Sequence, residues 1–201
     1  MAIVNNTENH YLKSGKNVIN AEAEALVTLS SNLDATFVSA VEMILNCAGR
    51  IGFCSIGKPG YIGRKLAASF SSTGTPSFFL HPAEAAHGDL GMVIKDDLII
   101  ILSHSGSSEE IINIIPIIRK IGAKLIAITS QNESPIAKLV DLVLLTGVKK
   151  EADPNGQIPT TSTIAILSLG DALAITVSQA KGLTPEKFRF FHPGGALGKN
   201  Q

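Results

Sequence analysis

Within Ser103-His104-Ser105-Gly106-Ser107-Ser108 stand four serines and a glycine, with Glu109 and Glu110 directly behind them. Hydroxyls at this density donate hydrogen bonds to an anion. The residues that follow, Ile111, Ile112, Ile114, Ile115, Ile117, Ile118 and Ile121, recur at helical spacing, so the serines open a helix. Unpaired amides and the helix dipole at such a start favour a phosphate without any metal. The same residues also read as an ordinary N-cap cluster, since Ser caps well and Glu completes a capping box.

Other turns carry further candidates. Ser55-Ile56-Gly57-Lys58-Pro59-Gly60-Tyr61-Ile62-Gly63 has the wrong glycine spacing for a dinucleotide fingerprint and lacks the Gly-Lys-Ser/Thr ending of a Walker loop. It brings Lys58 to a turn, where a lysine is either a functional cation or a solvated one. His81, Glu84, His87 and Asp89 fall within nine residues, a grouping that does not match strong zinc spacings and reads first as loop-stabilising hydrogen bonds. With His104, these two histidines form a further candidate group. Glu151 sits before Pro159-Thr160-Thr161-Ser162-Thr163, a second hydroxyl cluster that either completes an anion site or caps a helix. His192 stands in Phe191-His192-Pro193-Gly194-Gly195-Ala196-Leu197-Gly198, too glycine-rich for helix or strand and read as an ordered loop or tail.

The elements that must position these residues alternate along the chain. Apolar spacing over the first 48 or so residues predicts two helices. Five short apolar runs, 51–56, 76–80, 97–102, 124–129 and 141–145, predict strands. Most connections are long enough for a crossover helix, which calls for a parallel sheet covered on both faces. The 81–96 connection, with Pro82, Gly88 and Gly91, reads as a loop, and a long helix is expected over 162–181. The expected architecture is a three-layer αβα sandwich with a five-stranded parallel sheet. It forms one domain over residues 1–201: N-terminal helices over 1–48, then sheet core and C-terminal loop over 49–201. Ligands bind such folds outside the carboxyl ends of the strands.

Composition narrows the class of partner. Lys plus Arg and Asp plus Glu are 17 each in 201 residues, which supplies no field to gather nucleic acid or an anionic membrane. A small molecule is the expected partner. No apolar stretch reaches the roughly 18 residues of a membrane span, and the polar start Asn5-Asn6-Thr7-Glu8-Asn9 is no secretory signal core. With only Cys47 and Cys54, the chain reads as a reduced, cytoplasmic one, and Cys54, inside an apolar run, as a buried small hydrophobe.

Taken in order, Gly57-Lys58-Pro59-Gly60-Tyr61-Ile62-Gly63-Arg64-Lys65, the His81-to-Gly91 loop, Ser103-to-Glu110, Lys150-Glu151-Ala152, Pro159-to-Thr163 and His192-to-Gly198 resemble the arabinose-5-phosphate isomerases of the sugar isomerase (SIS) domain proteins. The resemblance implies interconversion of D-arabinose 5-phosphate and D-ribulose 5-phosphate with no cofactor or metal. It further implies a homodimeric or homotetrameric assembly with sites shared between subunits, and catalytic positions at Lys58, Glu110, Glu151 and His192. Aldose–ketose isomerisation needs a carboxylate base, a cation at the developing oxyanion and a proton carrier between oxygens, and these side-chain types supply them. Expected at the phosphate are Ser55, Gly57, Ser103, Ser105, Ser108, Thr161, Ser162 and Thr163. Three positions depart from the family pattern: Pro59 replaces a usual Ser, His104 a usual Asn or Gln, and Ser107 a usual Glu. Many relatives continue into paired CBS regulatory modules, whereas this sequence stops at Gln201, as expected of a short form or a truncated one. A non-catalytic sugar-phosphate sensor would use the same pocket. Such a sensor needs only the serine cradle, so the four catalytic side-chain types favour the enzyme.

Overall fold

The computed structural model describes residues 2–194. Two helices come first, α1 (Ala2–Ser31) and α2 (Ala35–Leu45), the second capped by Asp34, whose carboxylate accepts from the Thr36 amide. The chain then alternates: β1 (Ile51–Cys54), α3 (Lys58–Ser72), β2 (Ser77–Leu80), α4 (Pro82–Ala86), β3 (Leu98–Leu102), α5 (Glu109–Ile121), β4 (Lys124–Thr129), β5 (Leu142–Leu145), α6 (Thr161–Ala180) and α7 (Pro185–Phe190). All strand pairs are parallel, in the order β2-β1-β3-β4-β5. The expected three-layer sandwich is present.

Strand β3 shows why the sheet needs helices on both sides. Leu98, Ile100 and Leu102 face a core shared with α1, α2, α3 and α6, while Ile99 and Ile101 face a second core built with α4 and α5. Every residue of the strand is buried, so an uncovered face would expose a row of large aliphatics. On the first face α3 and α6 lie close because Gly170 has no side chain: a Cβ there would fall 2.4 Å from a Leu66 methyl.

Two stretches differ from the sequence expectation. The 81–96 connection is not all loop, for it contains α4 and a 3₁₀ turn at Asp89–Met92. Pro82 pre-sets the first helical turn, and Ala83, Ala85 and Ala86 extend it. Ahead of the expected loop from Phe191, where no element was expected, stands a helix, α7, capped by Thr184, whose hydroxyl accepts from the Lys187 amide at 3.2 Å. Residues 195–201, the glycine-rich part of that loop, lie outside the described residues. The 20-residue α6 is also long and apolar enough to cross a membrane, which the sequence reading did not find. Here it packs as a core helix, with Ala165, Ile166, Leu169, Leu173, Ala174 and Val177 buried.

Candidate functional site

Strand order fixes where a ligand crevice opens. From the neighbours β1 and β3 the chain departs in opposite directions, to β2 on one side and β4 on the other, with the crossover helices on opposite faces. The turns after β1 and β3 therefore diverge at the carboxyl edge of the sheet. Ser55 ties them together: its buried hydroxyl donates to the Leu102 carbonyl at 2.6 Å. That proton goes to the backbone and not to an anion, so Ser55 holds the crevice rather than lining a phosphate with a donor.

The turn after β3 is built as the serine spacing suggests. Ser103 Oγ lies 3.2 Å from Ser108 Oγ and accepts from the Gly106 amide at 3.2 Å, while Ser105 Oγ accepts from the Ser107 hydroxyl at 2.9 Å. The chain after β4 clamps the turn from outside, because the His104 carbonyl accepts from the Ser130 hydroxyl at 2.8 Å and the Thr129 hydroxyl at 3.1 Å. No side chain caps α5, so its first amides stand open behind the serines. Gly106 has φ +65°, and a Cβ there would fall 2.1 Å from Ser134 Oγ. Gly106→Ala is accordingly expected to destabilise the protein by about 1–3 kcal/mol, read as a lower denaturant midpoint, through both the left-handed backbone and the clash.

The second hydroxyl cluster is arranged differently. Glu151 reaches back from its loop to the start of α6, where Oε2 accepts from the Thr160 amide at 2.8 Å, the Ser162 amide at 3.1 Å and the Thr160 hydroxyl at 3.2 Å. Partial burial pushes this carboxyl up, but the donors of Ser162 and Thr160 outweigh it and hold it below the usual glutamate range. Thr163 spends its hydroxyl on the Thr160 carbonyl, and the Thr161 hydroxyl is buried without a partner. Of the two helix starts expected to hold a phosphate, α6 thus already carries a carboxylate, and α5 has the open donors. Sequence reading singled out Glu151 but not Thr160, which binds it twice. The signal was the Thr160-Thr161-Ser162-Thr163 run, whose cap-or-cradle ambiguity only the fold resolves.

Helix packing sets the level of Lys58. Lys65 is paired with Asp171, and Lys181 Nζ donates to the Thr75 hydroxyl at 3.0 Å; in each case 106 residues separate the partners. With Leu66 against Gly170 as well, α3 and α6 run side by side in the same direction. Lys58, the first residue of α3, therefore stands level with the first turn of α6, whose start Glu151 occupies. A cation at a helix N-terminus opposes the dipole, so Lys58 is not there to stabilise α3. Glu110, exposed in the first turn of α5, is where the dipole favours a carboxylate, and a structural reason for it exists.

His192 is not among them. It follows α7, with Nδ1 2.7 Å from the Phe188 carbonyl and its ring stacked on Phe188 at 4.1 Å. Helix α6, 20 residues and about 30 Å long, separates this end of the molecule from the carboxyl edge. Of the other candidate histidines, His81 precedes α4, His87 is exposed behind it, and His104 lies in the serine turn, with Nδ1 of both His81 and His104 buried and unpartnered. Among the described residues, no three His, Cys, Asp or Glu side chains gather as a metal site would require. Burial pushes the Cys54 thiol up to about 12, which leaves it inert.

A cleft of about 400 Å³ is lined by Glu24 and Thr28 of α1, Lys149, Lys150, Glu151 and Thr161. A larger one, about 550 Å³, lies at the opposite edge of the sheet among Glu42, Cys47, Lys95, Asp97, Lys124 and Asp141, and holds none of the candidate residues. Two of its carboxylates are committed, Asp97 to the Arg50 and Ile94 amides and Asp141 to the Leu125 amide.

Comparison with known proteins bears on this arrangement. Over 189 residues, 94% of its length, the chain is 47% identical to arabinose 5-phosphate isomerase KdsD of Pseudomonas aeruginosa and 48% identical to that of Escherichia coli K12, and it spans 58% of the length of each. A solved structure, that of E. coli CFT073 c3406 in complex with arabinose 5-phosphate, is 40% identical and superposes with a TM-score of 0.89, covering 94% of this chain and 99% of that one. Residues 44–176 match the model of the SIS domain, and with relatives of this identity across nearly the whole chain, the protein belongs to the SIS domain family.

Proposed function

We propose that this protein is a phosphosugar isomerase that interconverts D-arabinose 5-phosphate and D-ribulose 5-phosphate. The observation that carries the reading is a carboxylate held ionised at the start of α6, Glu151, level with Lys58, a cation its own helix has no use for, and on the same edge of the sheet as an open serine turn. The activity for which the relatives are named and the complex of the solved relative support the same substrate.

In this reading the serine turn and the first amides of α5 hold the phosphate. Glu151 removes the proton from C2 of the open aldose and returns it to C1, so that the aldehyde becomes a ketone through an enediolate. Lys58 stabilises the enediolate oxygen, and His192 carries the proton between O1 and O2 with Glu110 assisting. A carboxylate held below the usual range is a weak base toward carbon. Lys58 therefore bears much of the load, because stabilising the enediolate lowers the basicity the reaction demands.

The position of His192 supports a shared site. It lies beyond the far end of α6, a helix about 30 Å long, so in this reading it serves a carboxyl-edge site of another subunit. Helix α1 supports assembly: Tyr11, Leu12 and Ile19 are exposed on it, a set of large apolar side chains suited to a second copy.

The test is a direct assay of interconversion with a panel of five- to seven-carbon sugar phosphates, before and after exhaustive chelation. Turnover of D-arabinose 5-phosphate, unchanged by EDTA, is the expected result. Activity on another phosphosugar alone would overturn the substrate, and restoration by one divalent ion after chelation would overturn the metal-free site.

A further inference from the structure

Thr160 is bonded more heavily than a helix-capping residue requires. Its amide donates to Glu151 Oε2 at 2.8 Å; its hydroxyl lies 3.2 Å from the same oxygen and 3.1 Å from the Ile158 carbonyl, which share its one proton, and the hydroxyl oxygen accepts from the Ala152 amide at 2.9 Å. One residue thus grips the Glu151 carboxylate and, at the same time, the backbone immediately after it. The third donor to Oε2 is the Ser162 amide at 3.1 Å. The Ser162 hydroxyl adds a further hydrogen bond that favours the ionised carboxylate. Oε2 takes both amides and faces the Thr160 hydroxyl, so the two carboxylate oxygens are held unequally.

We propose that Thr160 is the positioning residue of the base: it pins Oε2 of Glu151, fixing the carboxylate plane so that Oε1 is the oxygen that takes the carbon proton. This rests on the reading of Glu151 as the base. A capping role alone would be satisfied by the backbone amides, which any residue at 160 supplies. The hydroxyl adds what the amides do not, a link to Ala152 that keeps the loop from swinging the carboxylate away, and a second contact at Oε2 shared with the Ile158 carbonyl.

The hydroxyl also favours the ionised carboxylate, so its loss must be visible in titration. The charged groups lining the cleft with Glu151 are Glu24 on α1 and Lys149 and Lys150 on its own loop, with Asp153 two residues on; the first turn of α6 contributes none. None of these changes when Thr160 is altered. A shift in Thr160→Val therefore reports the hydroxyl.

The experiment follows the carboxyl carbon of Glu151 by NMR in protein labelled at glutamate, the signal being identified by its loss in Glu151→Gln, together with pH profiles of kcat and kcat/KM for D-arabinose 5-phosphate. In Thr160→Val the Glu151 titration and the acidic limb are expected to move up together by about one pH unit. The plateau of kcat should fall about tenfold from the misplaced oxygen, with KM nearly unchanged. Thr160→Ser, which keeps the hydroxyl, should restore all three. If Thr160→Val lowers the melting temperature while the titration and limb stay in place, the residue is only a cap and the proposal fails. Should Thr160→Val not fold, Thr160→Ser against Thr160→Ala supplies the same comparison. Near-normal turnover in Glu151→Gln would instead remove the base reading itself, a result that leaves the NMR shift to be read separately.

Discussion

Glu151→Gln is expected to lower turnover by two to four decades, the range of about 10²–10⁴ typical of lost acid–base catalysis, with little change in affinity for the sugar phosphate. Glutamine keeps the size of the side chain and can still accept from the Thr160 and Ser162 amides, so the start of α6 stays capped. Only the anionic base is gone. Because donors hold the Glu151 carboxyl below the usual range, the wild-type enzyme should also keep its activity into mildly acidic solution. With the folded-state value depressed, the carboxylate persists as pH falls and is lost only on passing through that value, so the acidic limb lies below the ordinary glutamate range. Steady-state kinetics and a binding isotherm on the same preparation check both parts. Near-normal proton exchange in the variant would move the role to Glu110 or His192.

Much of this arrangement is written locally in the chain. The run from Asp97 to Leu102 announces a strand buried on both faces, and β3 is that strand. The serine turn follows from the same logic, since a strand that ends in hydroxyls and runs into an isoleucine-rich helix leaves the hydroxyls at a helix start. Thr184-Pro185 likewise carried a cap and a first-turn proline, signals strong enough for α7 that the surrounding glycines obscured. The rest depends on contacts remote in sequence. Whether the threonines before α6 cradle a ligand or cap a helix turns on Glu151, nine residues before Thr160, folding back onto them. That Lys58 stands level with that helix start follows from α3 and α6 packing side by side at Gly170, which no local pattern encodes. The distance of His192 from the other candidates comes from the direction and length of α6, a tertiary fact.

That distance gives the second large effect. Lys58→Ala and His192→Ala are each expected to be inactive alone, yet a mixture of the two, after subunit exchange, should regain activity. Hybrid oligomers contain sites in which a wild-type Lys58 from one subunit meets a wild-type His192 from another. If each site takes these residues from two different chains, recovery from near zero to a substantial fraction of wild-type turnover follows without any new contact. A His192 that served its own chain would allow no such recovery, because every site would keep one defect. Size measurement on the mixed sample confirms that exchange took place, and a fully active, stably monomeric variant would end the shared-site account.

The central claim is that Glu151 moves a proton at carbon, and exchange of that proton with solvent reads it most directly. In deuterated water, D-arabinose 5-phosphate incubated with the protein should acquire deuterium at the carbon next to the carbonyl as D-ribulose 5-phosphate appears, and Glu151→Gln should slow both by the same two to four decades. Tight binding of the sugar phosphate with no deuterium incorporation and no product would contradict the account, and would make the pocket that of a sensor.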